Sequence, residues 1–239
     1  MKRGNREPGA GRPNARRAAG GDARRAAGGS ARRAAGGSAR ARPGAQSAAQ
    51  LVARPVTSGR WDDLVRLFGE RGACGGCWCM LYKQTRSEFE KRKGAGNRRA
   101  LKRLIDRGTV PGLLGYIGRE PVAWCAMEPR AAYPSLRRSR ILQPVDDQPV
   151  WSVTCFFVAK PWRRCGIATA LLDAAASYAR RRGARIVEGY PTIPKKDPMP
   201  DLFACIGIAS AFERVGFREV ARRSPTRPIM RRDLRPGRP

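Results

Sequence analysis

Histidine is absent from all 239 residues. Its absence removes imidazole general bases, Ser-His-Asp triads and the common histidine-containing zinc sites. Any catalytic base is therefore a carboxylate, a tyrosine, a cysteine, a lysine or water. Acidic residues are also scarce, 19 against 49 Lys and Arg, for a formal net charge of +30. Such a surface draws in polyanions, phosphates among them, without naming one. No apolar run approaches the roughly 20 residues that a membrane helix needs, and the basic N-terminus has no continuous apolar stretch of the kind a secretory signal carries. Seven cysteines, an odd number in a chain of this length, read as reduced thiols rather than a disulfide framework. Together these features predict a cytoplasmic protein.

What is present divides the chain in two. Residues 15–38 repeat an eight-residue unit three times, ARRAAGGD, ARRAAGGS and ARRAAGGS, with almost no large apolar side chain to bury. Residues 1–50 are accordingly expected to be a disordered tail. This tail holds 12 basic and 2 acidic residues, and its readings are an arm for nucleic acid or anionic lipid, a plain solvated extension, or a targeting segment. From Leu51 aromatic and branched residues appear, which places the folded domain at 51–235.

Within that domain, strand 51–55 precedes a helix opening near Ser58, with Trp61, Leu64, Val65 and Phe68 on one face. A second helical stretch, 86–107, is broken at Gly94-Ala95-Gly96. GLLGYIG (112–118) and PVAWCAME (121–128) flank a short turn and predict a β-hairpin. Residues 129–149 read as irregular. VWSVTCFFV (150–158) predicts a central strand, followed by a helix from about Gly166 and a strand at 184–190, the two strands running parallel. A last helix, about 207–215, leads to strands near 217–222 and 228–231.

The chemistry concentrates in VAKPWRRCGIATALL (158–172). Gly166 lets backbone approach a ligand closely, the following helix contributes its N-terminal amides and partial positive charge, and Arg163 and Arg164 add full charges. These are the parts of a pyrophosphate cradle, although a plain turn before a helix has the same look. A dinucleotide fingerprint is excluded, because the glycine that it requires is replaced by Ala168.

The pattern of Arg163, two residues, Gly166, one residue and Ala168, after a strand ending at Val158, resembles the signature of the GNAT superfamily of acetyl-CoA-dependent N-acetyltransferases. Further on, Ala211-Phe-Glu-Arg-Val-Gly-Phe217 is similar to the later motif of that family. The resemblance implies an α/β protein with a mixed, splayed sheet, in which acetyl-CoA is the co-substrate and an amine the acceptor. It assigns the pyrophosphate to Arg163 and the amides of Arg164, Cys165, Gly166, Ala168 and Thr169, and the pantetheine arm to Phe156 and Val158. An amide near Phe156 or Phe157 would polarise the thioester. Where the family often has a tyrosine that protonates the leaving thiolate, this chain has Phe212. Tyr190 is the candidate substitute.

For the base, Glu188 stands on the strand expected to border the cofactor cleft, with Glu128 second. Asp146 or Asp147 would orient a cationic acceptor. Cys74, Cys77 and Cys79 crowd one loop. With no histidine to complete a zinc site, their readings are a metal, a reversible disulfide or loop packing, and no metal is assigned. Cys165, beside arginines at a helix N-terminus, stands in a setting that favours a reactive thiol. The competing reading of the whole chain is a nucleic-acid-associated module whose acetyltransferase-like fold has little or no activity. Oligomeric state and acceptor are not written in the sequence.

Overall fold

The computed structural model describes residues 46–194 and 205–235. The arginine-rich repeats at 15–38 and part of the loop after Tyr190 lie outside them. Seven strands form one sheet: β1 (Val52–Pro55), β2 (Gly112–Ile117), β3 (Glu120–Pro129), β4 (Trp151–Val158), β5 (Ile186–Gly189), β6 (Arg218–Arg222) and β7 (Pro228–Asp233), in the order β1-β2-β3-β4-β5-β7-β6. Only β4 and β5 pair in parallel, and every other pairing is antiparallel. The mixed sheet expected from the sequence is therefore observed.

The helices are α1 (Gln46–Ala49), α2 (Trp61–Phe68), α3 (Arg86–Lys91), α4 (Ala95–Asp106), α5 (Pro134–Arg138), α6 (Ile167–Arg181) and α7 (Ala209–Glu213). Thr85 opens α3 with a capping box, its hydroxyl accepting from the Glu88 amide while the Glu88 carboxylate accepts from the Thr85 amide. Two differences from expectation have local causes. Residues 129–149 are not wholly irregular: Pro134 sits in the first turn of α5, where a missing amide hydrogen costs nothing, and Leu136 of that helix is fully buried. Ordered structure also starts before Leu51, because Ala48 of α1 packs against the core around α6.

Two apolar layers sandwich the sheet. On one face α6 packs Leu171, Leu172, Ala175, Ala176 and Ala179, all buried, against Met127, Val153, Phe156, Val187 and Met230. Those positions recur at the helical period in the sequence, and each fully buried leucine stabilises the fold by roughly 1.5–3 kcal/mol. On the other face Leu64, Phe68, Leu101 and Ile105 of α2 and α4 cover Leu114, Trp124 and Ala126. A third cluster of Tyr133, Leu136, Leu142, Tyr190 and Ile229 closes the far end.

Candidate active site

The site arises from a fault in the ladder between β3 and β4. Ala126 pairs with Cys155 but the next residue, Met127, pairs with Val153, so Thr154 is an extra residue in β4. A bulge of this kind bends a strand and sharpens its twist. Beside it, β4 pairs with β5 only across Trp151–Val153 and Val187–Gly189. Beyond Val153 the two strands part, and the segment from Cys205 to Arg214 fills the opening.

Between that segment, the end of β4 and the start of α6 lies a cavity of about 510 Å³. Its walls include Phe156, Phe157, Val158, Arg163, Arg164, Gly166, Ala168 and Thr169. Of the nine residues assigned to the cofactor, only Cys165 does not line it. Its thiol instead donates to the Arg163 carbonyl at 3.4 Å. The turn into α6 contains two left-handed residues, Arg164 (φ 63°) and Gly166 (φ 77°). Glycine alone takes that conformation without strain, which explains the residue at 166. Because Gly166 is the cap of a 15-residue helix, the free amides of the first turn face the cavity end of α6.

One of the two amides expected to polarise a thioester is occupied: the Phe156 N–H donates to the Cys205 carbonyl. Arg163 is also partly committed, its Nε donating to the Val158 carbonyl at 2.9 Å. Phe212 is buried, stacked edge-on against Phe156 and Phe217 with ring centroids 6.0 and 5.0 Å away. Gly189 and Gly207 make room for its ring, since a Cβ at either position would come within 2.2 and 2.6 Å of it.

None of the candidate catalytic side chains lines the cavity. They lie instead in a polar row across the opposite face of the sheet, where register aligns Glu128 with Ser152, Ser152 with Glu188, and Glu188 with Arg231. Glu188 is fully buried. Its Oε1 accepts from Arg130 Nη1 at 2.7 Å and from the Tyr190 hydroxyl at 2.6 Å, and its Oε2 accepts from Arg231 Nε at 2.7 Å. The Tyr190 hydroxyl also bonds Ser152 Oγ at 2.8 Å. Burial, then the Glu188 charge, pushes the Tyr190 hydroxyl well above the usual phenol range, so it keeps its proton.

Glu128 is placed differently. It is almost buried and paired through Oε2 with Lys83, whose ammonium also sits over the Tyr133 ring. Burial raises its carboxyl pKa, and the Lys83 charge only partly offsets this. Asp146, one of the two aspartates expected to orient an acceptor, accepts two hydrogen bonds from the Arg231 guanidinium, at 2.7 and 3.0 Å. Arg130, Arg231 and Lys83, which set the character of this row, were missed in the sequence. In a chain with 49 basic residues no single arginine carries a local signal.

A cleft in a splayed mixed sheet, with a helix N-terminus and two arginines at one end, has the shape and charge that suit an elongated, phosphate-bearing ligand. The profile of the acetyltransferase (GNAT) family matches residues 78–193. Over those residues the chain is similar to a family whose acetyl donor is acetyl-CoA. Among solved structures, an acetyltransferase of the GNAT family from Listeria monocytogenes is 8% identical, covering 77% of this chain and 95% of its own, with a TM-score of 0.49. A GNAT acetyltransferase from Streptococcus agalactiae is 12% identical over 78% and 96% of the two chains, TM-score 0.47. The PaiA N-acetyltransferase of Thermoplasma acidophilum, solved with coenzyme A, is 10% identical over 77% and 99%, TM-score 0.45. No curated protein matches the chain. No described helix is long and apolar enough to cross a membrane.

Proposed function

We propose that this protein transfers the acetyl group of acetyl-CoA to a primary amine of a small-molecule or protein acceptor, by direct attack of the amine on the thioester. The observation that carries this reading is the convergence on one cavity of the strand edge Phe156–Val158 and the turn Arg163–Thr169. Arg163, Arg164 and the first amides of α6 hold the pyrophosphate, and the strand edge takes the pantetheine arm. Because the Cys205 carbonyl holds the Phe156 amide, a pantetheine carbonyl would bind there in its place.

Direct attack needs an uncharged amine, so a proton must leave the incoming ammonium. Glu128 suits that role better than Glu188. Both oxygens of Glu188 are held by guanidinium groups and one also by the Tyr190 hydroxyl, which leaves no lone pair facing a substrate, whereas Glu128 has one lysine partner and a raised pKa. Glu188 and Tyr190 then serve to hold β5 and the Arg130 segment in place. The departing thiolate needs no strong acid, since a thiol pKa of about 8.5 makes it a fair leaving group, and Phe212 is compatible with turnover.

The test is release of free CoA thiol by the full chain from acetyl-CoA with a panel of small amines and amine-bearing peptides. Amine-dependent release, abolished in Gly166→Glu, supports the reading. Tight acetyl-CoA binding with no transfer to any amine favours the inactive, nucleic-acid-associated alternative.

A further inference from the structure

The loop 72–79 is wound more tightly than any other part of the described chain. Gly72, Ala73, Gly75, Gly76, Trp78 and Cys79 all have positive φ, and of the non-glycine residues with such angles only Arg164 lies elsewhere. Trp78 pins the loop: it is buried, stacked 6.0 Å from Trp61 and edge-on to Phe68, with the Arg98 guanidinium over its ring. A Cβ on Gly72 would come within 2.1 Å of the Trp78 indole, and one on Gly76 within 2.7 Å of the Gly94 backbone. Strain of this kind persists only where the surroundings impose it, and here it fixes the cysteines on either side of Trp78.

Those cysteines are not isolated. Cys79 Sγ donates to Cys155 Sγ across 3.3 Å, bridging the loop to β4 beside the Thr154 bulge. Cys77 stands two residues before Cys79 in the same tightly wound loop. Cys74 and Cys205 line the cavity. Two chain segments 76 residues apart thus bring two sulfur atoms nearly into bonding range, with a third thiol two residues away along the loop. Among the described residues, no three Cys, Asp or Glu side chains are arranged to hold a metal ion.

We propose that Cys77, Cys79 and Cys155 form a peroxide-oxidisable site whose lasting product is a Cys79–Cys155 disulfide tying the loop 72–79 to β4. The neighbouring Cys79 thiol, opposed by burial, lowers the Cys77 pKa to about 6, which favours a thiolate at Cys77 over one at Cys79 or Cys155. Burial pushes Cys79 well up, and it remains protonated.

The steps balance with peroxide as the two-electron oxidant. The Cys77 thiolate attacks one peroxide oxygen, the O–O bond breaks, and hydroxide leaves, giving a sulfenic acid. Cys79 sulfur attacks Cys77 sulfur, the S–O bond breaks, and the thiol proton leaves with that oxygen as water. Cys155 sulfur then attacks Cys79, its own proton passing to solvent hydroxide, and Cys77 departs as thiolate. A low pKa makes Cys77 the better leaving group of the two sulfurs. Two thiols are oxidised, and one peroxide becomes two waters.

The site does not depend on acetyl transfer, and its readout is covalent mass. The full chain would be treated with hydrogen peroxide, alkylated, cleaved without reductant and mapped by mass spectrometry. The expected result is loss of two alkylatable thiols, a cross-linked peptide joining Cys79 to Cys155, and reversal by dithiothreitol. Cys77→Ser should form the same link about tenfold more slowly, and Cys155→Ser should stop at a Cys77–Cys79 link. Wild-type mapping decides the matter even if a variant fails to fold. A Cys74–Cys205 link in place of Cys79–Cys155, irreversible oxidation without any link, or a bound zinc ion that shields all three thiols would overturn the proposal.

Discussion

The turn from β4 into α6 and the polar row on the opposite face of the sheet hold charge by opposite means. The turn gathers a helix N-terminus and two arginines from seven consecutive residues, Arg163–Thr169, beside a cavity. The row gathers Arg130, Asp146, Glu188 and Arg231 from distant parts of the chain and satisfies each with another, burying Glu188 completely. Charge beside a cavity suits the binding we propose, and charge closed on itself serves the fold. Glu128, at the end of the row, has a single lysine partner, and it is the carboxylate that we propose as the base.

The largest effect that would break this contrast falls on the closed row. Glu188→Gln leaves Arg130 and Arg231 facing a neutral amide in the interior. Breaking a buried pair costs about 3–5 kcal/mol, readable by urea denaturation. The protein that stays folded should bind acetyl-CoA as the wild type does. A Glu188→Gln variant of native stability and much lower turnover would return Glu188 to the role of base.

Gly166→Glu should do the reverse, leaving stability near native but removing acetyl-CoA binding. Two like charges about 4 Å apart at an effective dielectric of about 20 cost about 4 kcal/mol, a factor of about a thousand in Kd. The left-handed backbone at 166 adds strain for any side chain. Calorimetric titration of the variant checks it.

Glu128→Gln should lower kcat by about a hundredfold with little change in acetyl-CoA affinity. The sign of the pH dependence follows from the raised pKa. The base works only when ionised, so turnover falls as pH drops through a value above the ordinary carboxylate range, and the variant should lose that limb of the profile. The smallest effect is expected from Phe212→Tyr. A hydroxyl there could offer the leaving thiolate a proton it does not need, so kcat should rise by no more than about threefold. A much larger gain would show that thiolate departure limits the wild type.

The same contrast explains what the sequence disclosed. Arg163, Gly166 and Ala168 are neighbours in the chain and depend on local backbone alone, so the glycine turn into α6 was legible with its boundaries. The hairpin, the central strand and α6 were legible because their periods are written in consecutive residues. The partners of Glu188 were not, since Arg130 and Arg231 meet it only through strand register set by the whole sheet. Glu188 therefore looked like a candidate base from its position on a strand, and nothing local showed two arginines closing on it. The cysteine loop was half legible: Cys74, Cys77 and Cys79 stood out by spacing, but Cys155 joins them only because the loop folds back onto β4.

The central claim is that the β4–α6 turn is an open site for acetyl-CoA and not a generally basic surface. Titration calorimetry of the full chain with acetyl-CoA at low and high salt, with ADP as the control, tests it most directly. The account predicts one saturable site that survives the added salt and binds ADP more weakly than acetyl-CoA, because the strand edge Phe156–Val158 contributes contacts that ADP cannot make. Binding that disappears with salt, or that matches ADP, would contradict it.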